Sequence, residues 1–309
     1  MPESSPVEWI DLLDPTREQL AAVVGRSLHP RALDQLLAPH AHRDDPRPTL
    51  EGHGDYVFGV FLVPRLDASS GLVTYQEVDL VAAHDLVLTV RKSAEGLPAF
   101  DCSVVRDLHE SGRAVSAGMV AYHLVDEVAE GYLDLTDRLN EQIDDLEDHV
   151  EEWPSERVRA QLSALRHDLL HIRRTLSPTR DAIRRVFDGR VDAHRGSLEL
   201  FDHDTELHFA DAFEKLMRAS EALDLSRDLV ASVRDYHQAK VSNDQNEVMK
   251  RLTVIASLLL VPSFIVGFYG MNVRGEAEYR WRWGYWWVLG LIVVVTALQL
   301  GWFRRKRWM

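Results

Sequence analysis

The strongest constraint on this chain lies at its end, where two uncharged, mostly apolar stretches are each long enough to cross a lipid bilayer. The first, Leu252 to Val273, runs for 22 residues, and the second, between Arg282 and Arg304, for 21. A spanning helix needs roughly 20 predominantly apolar residues. Two such stretches joined by a short loop predict a helical hairpin through a membrane. Lys250 and Arg251 precede the first, and Arg304, Arg305, Lys306 and Arg307 follow the second. The loop between them mixes Arg274, Arg280 and Arg282 with Glu276 and Glu278. Positive charge stays inside, so both termini are expected in the cytoplasm and the loop outside, in a multi-pass protein of the cell membrane. Met1 to Pro6 lacks the basic and apolar regions of a secretory signal.

Most of the 309 residues are therefore expected to be soluble, and their charge balance limits their partners. Lys plus Arg total 35 against 49 Asp plus Glu, a net charge of −14, which argues against nucleic acid and is compatible with divalent cations. The one cysteine, Cys102, excludes an internal disulfide or a thiolate metal cluster within one chain and is expected to be an ordinary small apolar residue.

The pattern along the chain predicts an α+β cytoplasmic domain, then a long α-helical stalk, then two C-terminal transmembrane helices. Val7 to Leu12 is expected as a strand. Asp14-Pro15 is expected to cap a helix running to about Val24, and another short helix follows His29-Pro30. Tyr56–Val63, Val73–Val81 and Leu86–Val90 have the β-branched and aromatic content of strands, with Asp67 to Gly71 as a turn. Beyond Ala117 the apolar period becomes helical. One run carries Leu124, Val128, Leu135, Leu139, Ile143, Leu146 and Val150 up to Pro154; a second carries Val158 to Leu176 up to Pro178, with a further helix over Thr179–Phe187 and a break at Gly189 and Gly196. A helix from about Asp204 then meets no proline or glycine until Pro262. The expected parts are an N-terminal domain (1–116), cytoplasmic helices (117–203), a stalk helix (204–251), a first span (252–273), an external loop (274–282), a second span (283–303) and a basic tail (304–309).

Two helices per chain cannot enclose a water-filled path while hiding their backbones from lipid, so a pore requires several copies. Steps of three or four residues along the first span pick out Asn246, Met249, Leu252, Ala256, Leu260, Ser263 and Gly267. Rings of Met249 and Leu252 would form a constriction that closes by dewetting, although small residues at such spacing also serve plain helix packing. At the outer end Gly270 and Met271 offer backbone carbonyls and Asn272 a side-chain amide. Neutral acceptors of this kind suit Mg²⁺, which sheds its water reluctantly. Glu276 and Glu278 would raise the local cation concentration or simply belong to a solvated loop. Neither span contains Asp, Glu, His, Lys or Arg, which favours a channel over a proton-coupled carrier.

Tyr269-Gly270-Met271-Asn272 resembles the YGMN signature of the CorA family of divalent-cation channels, and Arg280 to Tyr285 resembles the start of its second helix. Asn246 to Thr253, Pro262, His29-Pro30, Arg47-Pro48, Tyr56-Val57-Phe58 and Leu176-Ser177-Pro178 extend the likeness over nearly the whole chain. The resemblance implies a funnel-shaped homopentamer that passes Mg²⁺, and also Co²⁺ and Ni²⁺, and needs no cofactor besides Mg²⁺ as transported and regulatory ion. It implies an Asn272 ring binding the hydrated ion, a pore lined by Asn246, Met249 and Leu252, and closure by intracellular Mg²⁺ bridging carboxylates between subunits. Asp211 matches one sensing carboxylate. Gln35 stands where its acidic partner is expected, with Asp34 one residue earlier.

The alternative of similar architecture is a ZntB-like Zn²⁺ transporter linked to protons, whose signature typically reads GIN; Met271 favours the magnesium branch. A membrane-anchored metalloenzyme finds some support in His167 and His171, four residues apart on one helical face, and in His203 and His208, but no third ligand is evident. A purely structural coiled coil leaves the Asn at the mouth unexplained. Trp281, Trp283, Trp286 and Trp287 suit an interfacial belt under any of these readings.

Overall fold

A computed structural model describes residues 7–24, 28–39, 47–66, 73–93, 98–114, 116–195, 198–271 and 283–308. It divides into two compact units, Met1–Arg234 and Asp235–Met309.

The first unit is built on a mixed five-stranded sheet of order β1-β5-β4-β3-β2. The strands are β1 (Glu8–Leu13), β2 (Thr49–Gly52), β3 (Val57–Leu66), β4 (Val73–Ala83) and β5 (Leu86–Arg91). β1 runs parallel to β5, and the other neighbours are antiparallel. β3 and β4 are buried along nearly their whole length. Apolar layers cover both faces of the sheet, which is why Val57 to Val63 is continuously hydrophobic rather than alternating. One layer comes from α1 (Arg17–Val23) and α2 (Pro30–Leu37), whose Leu20, Ala32 and Leu36 pack with Phe58, Val81 and Leu88. The other belongs to the main core, shared with α3 (Ser103–Glu110), α4 (Ala117–His149), α5 (Ser155–Phe187) and the first part of α6 (His203–Tyr269).

The helical period holds through α4 and α5. Every apolar residue of the two runs expected to face inward is at most 8% exposed. Three local expectations need correction. Thr16, not Asp14, caps α1, in a capping box with Gln19; Asp14 has φ 43° and accepts instead from the Ser93 amide at 3.0 Å. Pro178 does not end a helix, because α5 runs through it to Phe187 with Thr175, Leu176, Thr179 and Ala182 buried around it. That continuing apolar stripe outweighs the roughly 3 kcal/mol a proline costs inside a helix. Elements β2, α3 and the small hairpin β6 (His194–Arg195) and β7 (Leu198–Glu199) were not expected. The break after α5 is present at Gly189, with φ 65°; Gly196 lies outside the described residues. The expected turn at 67–71 lies outside the described residues.

In the second unit the rest of α6 and α7 (Gly284–Arg305) are both long and apolar enough to cross a membrane. Each helix has one less exposed face. On α6 it carries Val254, Leu258, Val261, Ile265 and Tyr269; on α7 it carries Val288, Leu291, Val295, Gln299 and Phe303. The three- and four-residue spacing is that of helices packed along one side.

Candidate ion pathway

The seven stripe residues of α6, Asn246, Met249, Leu252, Ala256, Leu260, Ser263 and Gly267, are all exposed within one chain. Leu260 is 71% exposed, Met249 61% and Leu252 54%, whereas Val254, on the other side of the helix, is 3% exposed. At 100° per residue the stripe is one continuous face. Apolar side chains this open, in a helix whose other face is covered, are available to lipid or to another copy.

Helical bonding ends within the signature, after Tyr269. The Gly270 amide donates to the Val266 carbonyl at 2.8 Å and the Met271 amide to Phe268 at 3.3 Å. The C-terminal end of a helix carries partial negative charge and leaves its final carbonyls for other partners, so the end of α6 favours a cation. Asn272, Glu276 and Glu278 lie outside the described residues.

The two proposed sensor acids are exposed on different elements, Asp34 on α2 and Asp211 on α6, and no hydrogen bond or ion pair joins them among the described residues. One turn beyond Asp211, Lys215 Nζ pairs with Asp126 Oδ1 at 2.7 Å and Glu130 Oε1 at 2.5 Å, tying α6 to α4. Burial pushes the neighbouring Glu127 carboxyl up, helped by the charges of Asp126 and Glu130. Asp126 and Glu130 lie four residues apart on one face of α4, the spacing that lets both reach the single Lys215.

Gln35 is turned into the protein. Its Nε2 donates to Glu77 Oε1 at 2.9 Å, and its own carbonyl accepts from Lys92 Nζ at 2.7 Å. Lys92 also lies 2.5 Å from Glu77 and 3.0 Å from Asp79, all three at most 2% exposed. With one lysine for two buried carboxylates, desolvation pushes Asp79 up to about 8, against the opposing pull of Lys92. Within the second helix of the hairpin, Gln299 has its Oε1 buried without a hydrogen-bond partner among the described residues, a polar atom the sequence reading passed over.

The remaining candidates do not assemble a metal centre. The His167 and His171 rings are 4.1 Å apart, but among the described residues no group of three or more His, Cys, Asp or Glu is placed to hold an ion. His203 lies near Glu206, while His208 packs against Tyr122. Cys102 is buried, which pushes its thiol up to about 12 and leaves it inert.

A sheet-based α+β unit whose last helix continues into an apolar stretch long enough to span a membrane, followed by a second such helix, has the architecture of an integral membrane protein. A family model for CorA-like Mg²⁺ transporter proteins matches residues 4–305, and the chain belongs to that family of divalent-cation transporters. It is 28% identical to the cobalt/magnesium transport protein CorA of Thermotoga maritima, over 99% of this chain and 85% of that one. It is 25% identical to the zinc transport protein ZntB of Yersinia pseudotuberculosis, over 67% of this chain and 61% of that one. The complete structure of the CorA magnesium transporter from Methanocaldococcus jannaschii superposes with a TM-score of 0.79 at 20% identity, covering 99% of this chain and 93% of that one. That agreement extends to the fold from the sheet to both spans.

Proposed function

We propose that the chain forms a homopentameric channel for divalent cations, chiefly Mg²⁺ and also Co²⁺ and Ni²⁺, with both termini in the cytoplasm. The observation that carries this reading is the open stripe of α6 from Asn246 to Gly267, since a helix with one covered and one open face has a surface left to line a shared passage. The signature residues Gly270, Met271 and Asn272 follow at its outer end, where backbone carbonyls and a ring of amides present dipoles to an ion in its water shell. Glu276 and Glu278 enrich cations outside, and Met249 with Leu252 closes the inner end. Intracellular Mg²⁺ gates the channel at a site that includes Asp211, with Asp34 on α2 standing in for the acid absent at Gln35. An ion that prefers the closed arrangement draws population away from conducting states by its differential affinity.

The second reading is Zn²⁺ transport, and the similarity to the Yersinia ZntB protein favours it. Competition among Mg²⁺, Co²⁺, Ni²⁺ and Zn²⁺ for uptake into proteoliposomes holding the native protein or Asn272→Ala separates the two. Uptake of Mg²⁺ that Zn²⁺ does not block, and that falls in the variant, supports the first. Proton-dependent Zn²⁺ uptake without Mg²⁺ flux replaces it with the second.

A further inference from the structure

At the charged end of the second unit, α6 and the tail after α7 enclose a cleft of about 780 Å³. Its wall contains three cations, Lys250, Arg251 and Arg307, and one carboxylate, Glu247. Glu247 is spoken for by Arg251, one helical turn away. Lys250 and Arg307 have no carboxylate partner among the described residues. Polarity grades along the cleft, from the amides of Asn243 and Asn246 to Val254 and Ile255 at the start of the apolar span.

The tail is held in place for this. Arg307 adopts φ 55°, a left-handed conformation unfavourable for a residue with a side chain. Its amide donates to the Arg304 carbonyl and the Trp308 amide to that of Phe303, the paired bonds that close a helix end. The turn folds Trp308 back onto Phe303, ring centroids 6.0 Å apart and nearly parallel, so that both Arg307 and Trp308 face α6. On α6 the cleft face lies about 130° round the helix from the centre of the open stripe, at 100° per residue, and shares only Asn246 with it. It is a separate site from the ion pathway.

We propose that this cleft binds the phosphate headgroup of an anionic phospholipid in the leaflet where the charged ends of both spans emerge. The phosphate sits between Lys250 and Arg307, Trp308 occupies the interfacial level, and the acyl chains leave along the exposed Ile255. A basic pocket beside a spanning helix, at the depth of the headgroups, has the charge and polarity gradient of such a lipid, and an interfacial tryptophan suits the same depth. A free phosphate has no use for the apolar end. The assignment rests on α6 and α7 spanning the membrane and is independent of which ion is carried.

The test is equilibrium binding of a labelled phosphatidylglycerol to the purified full chain in detergent, with no ion flux measured. Saturable binding displaced by unlabelled phosphatidylglycerol, and poorly by phosphatidylcholine or glycerol phosphate, is expected. Lys250→Gln with Arg307→Gln should weaken it about tenfold or more, while Lys250→Arg with Arg307→Lys retains it. Arg305→Gln with Lys306→Gln, which removes equal charge from the same tail outside the cleft, should have much less effect. Equal displacement by phosphatidylcholine, equal displacement by glycerol phosphate, equal weakening by the two Gln pairs, or loss of binding in the charge-conserving pair each overturns the proposal.

Discussion

The side chain of Gln35 on α2 donates to Glu77 on β4 at 2.9 Å, so the position where the family resemblance calls for an acid is occupied by a residue that faces the interior of the sheet. Glu77 is 1% exposed and already shares Lys92 with Asp79. A carboxylate at position 35 would add a third acid beside one lysine. Gln35→Glu should therefore destabilise the protein by about 2–3 kcal/mol through repulsion and desolvation. For a unit of this size that corresponds to a drop of roughly 5–10 °C in Tm. An unchanged melting temperature would show that the amide bond to Glu77 is incidental, and a gain of Mg²⁺-dependent stability would show that position 35 reaches the sensor after all.

The same cluster makes stability depend on pH in a direction opposite to that of an ordinary surface acid. Asp79 is pushed up to about 8 from an ordinary carboxylate value of 3.8, first by burial and then by Glu77, with Lys92 acting against both. Between these values the folded protein holds a proton that the unfolded chain releases, so stability falls as pH rises across the interval and levels off above about 8. Asp79→Asn keeps the neutral shape and removes the titration. Melting curves at pH 5, 6.5 and 8 should fall more steeply with pH for the native protein than for Asp79→Asn; parallel slopes would mean that Asp79 is ionised throughout.

The limits of the sequence show in the same residues. The runs from Leu124 to Val150 and from Val158 to Leu176 were legible because their period follows from burial on one helix face, and that burial is what the structure displays. Pro178 misled because a proline is a local signal, and the stripe through Thr175, Thr179 and Ala182 that overrides it is a tertiary one. Asp14 looked like a cap for the same reason. Its carboxylate is used by Ser93, 79 residues away, and nothing near Asp14 in sequence indicates this. In the candidate site, spacing alone was enough to place the stripe residues on one face of α6. The role of Gln35 was not legible, because it depends on how α2 lies over β4.

Asp211 offers a direct test of the proposed sensing site. It is exposed on α6, one turn from Lys215, whose charge is taken by Asp126 and Glu130 on α4. An exposed carboxylate with no cation paired to it among the described residues loses little when neutralised, so Asp211→Asn should fold as the native protein does. Its effect should appear in the ligand-linked difference: Mg²⁺ should protect the variant less against limited proteolysis, and Asp34→Asn should shift protection in the same direction. Full protection in Asp211→Asn would remove Asp211 from the sensor.

The proposed constriction at Met249 and Leu252 makes the sharpest prediction about conduction. Leu252 on α6 and Val293 on α7 are comparably exposed in one chain, at 54% and 61%, so exposure alone does not separate a pore-lining residue from a lipid-facing one. They differ in their place: Leu252 belongs to the stripe with Met249 and Ala256, whereas Val293 lies on the second helix. If copies of α6 surround the passage, a ring of Leu252 side chains excludes water when the ring is narrow, and trimming each to a methyl group widens and wets it. Leu252→Ala should raise divalent-cation flux severalfold at internal Mg²⁺ concentrations that keep the native channel shut. Val293→Ala should leave flux unchanged, since it only exchanges one lipid contact for another. Flux measured with an ion-sensitive dye in proteoliposomes distinguishes the cases. Equal flux in Leu252→Ala and the native protein would place the stripe against lipid and the passage elsewhere, whereas a rise in Val293→Ala alone would put α7 at the centre.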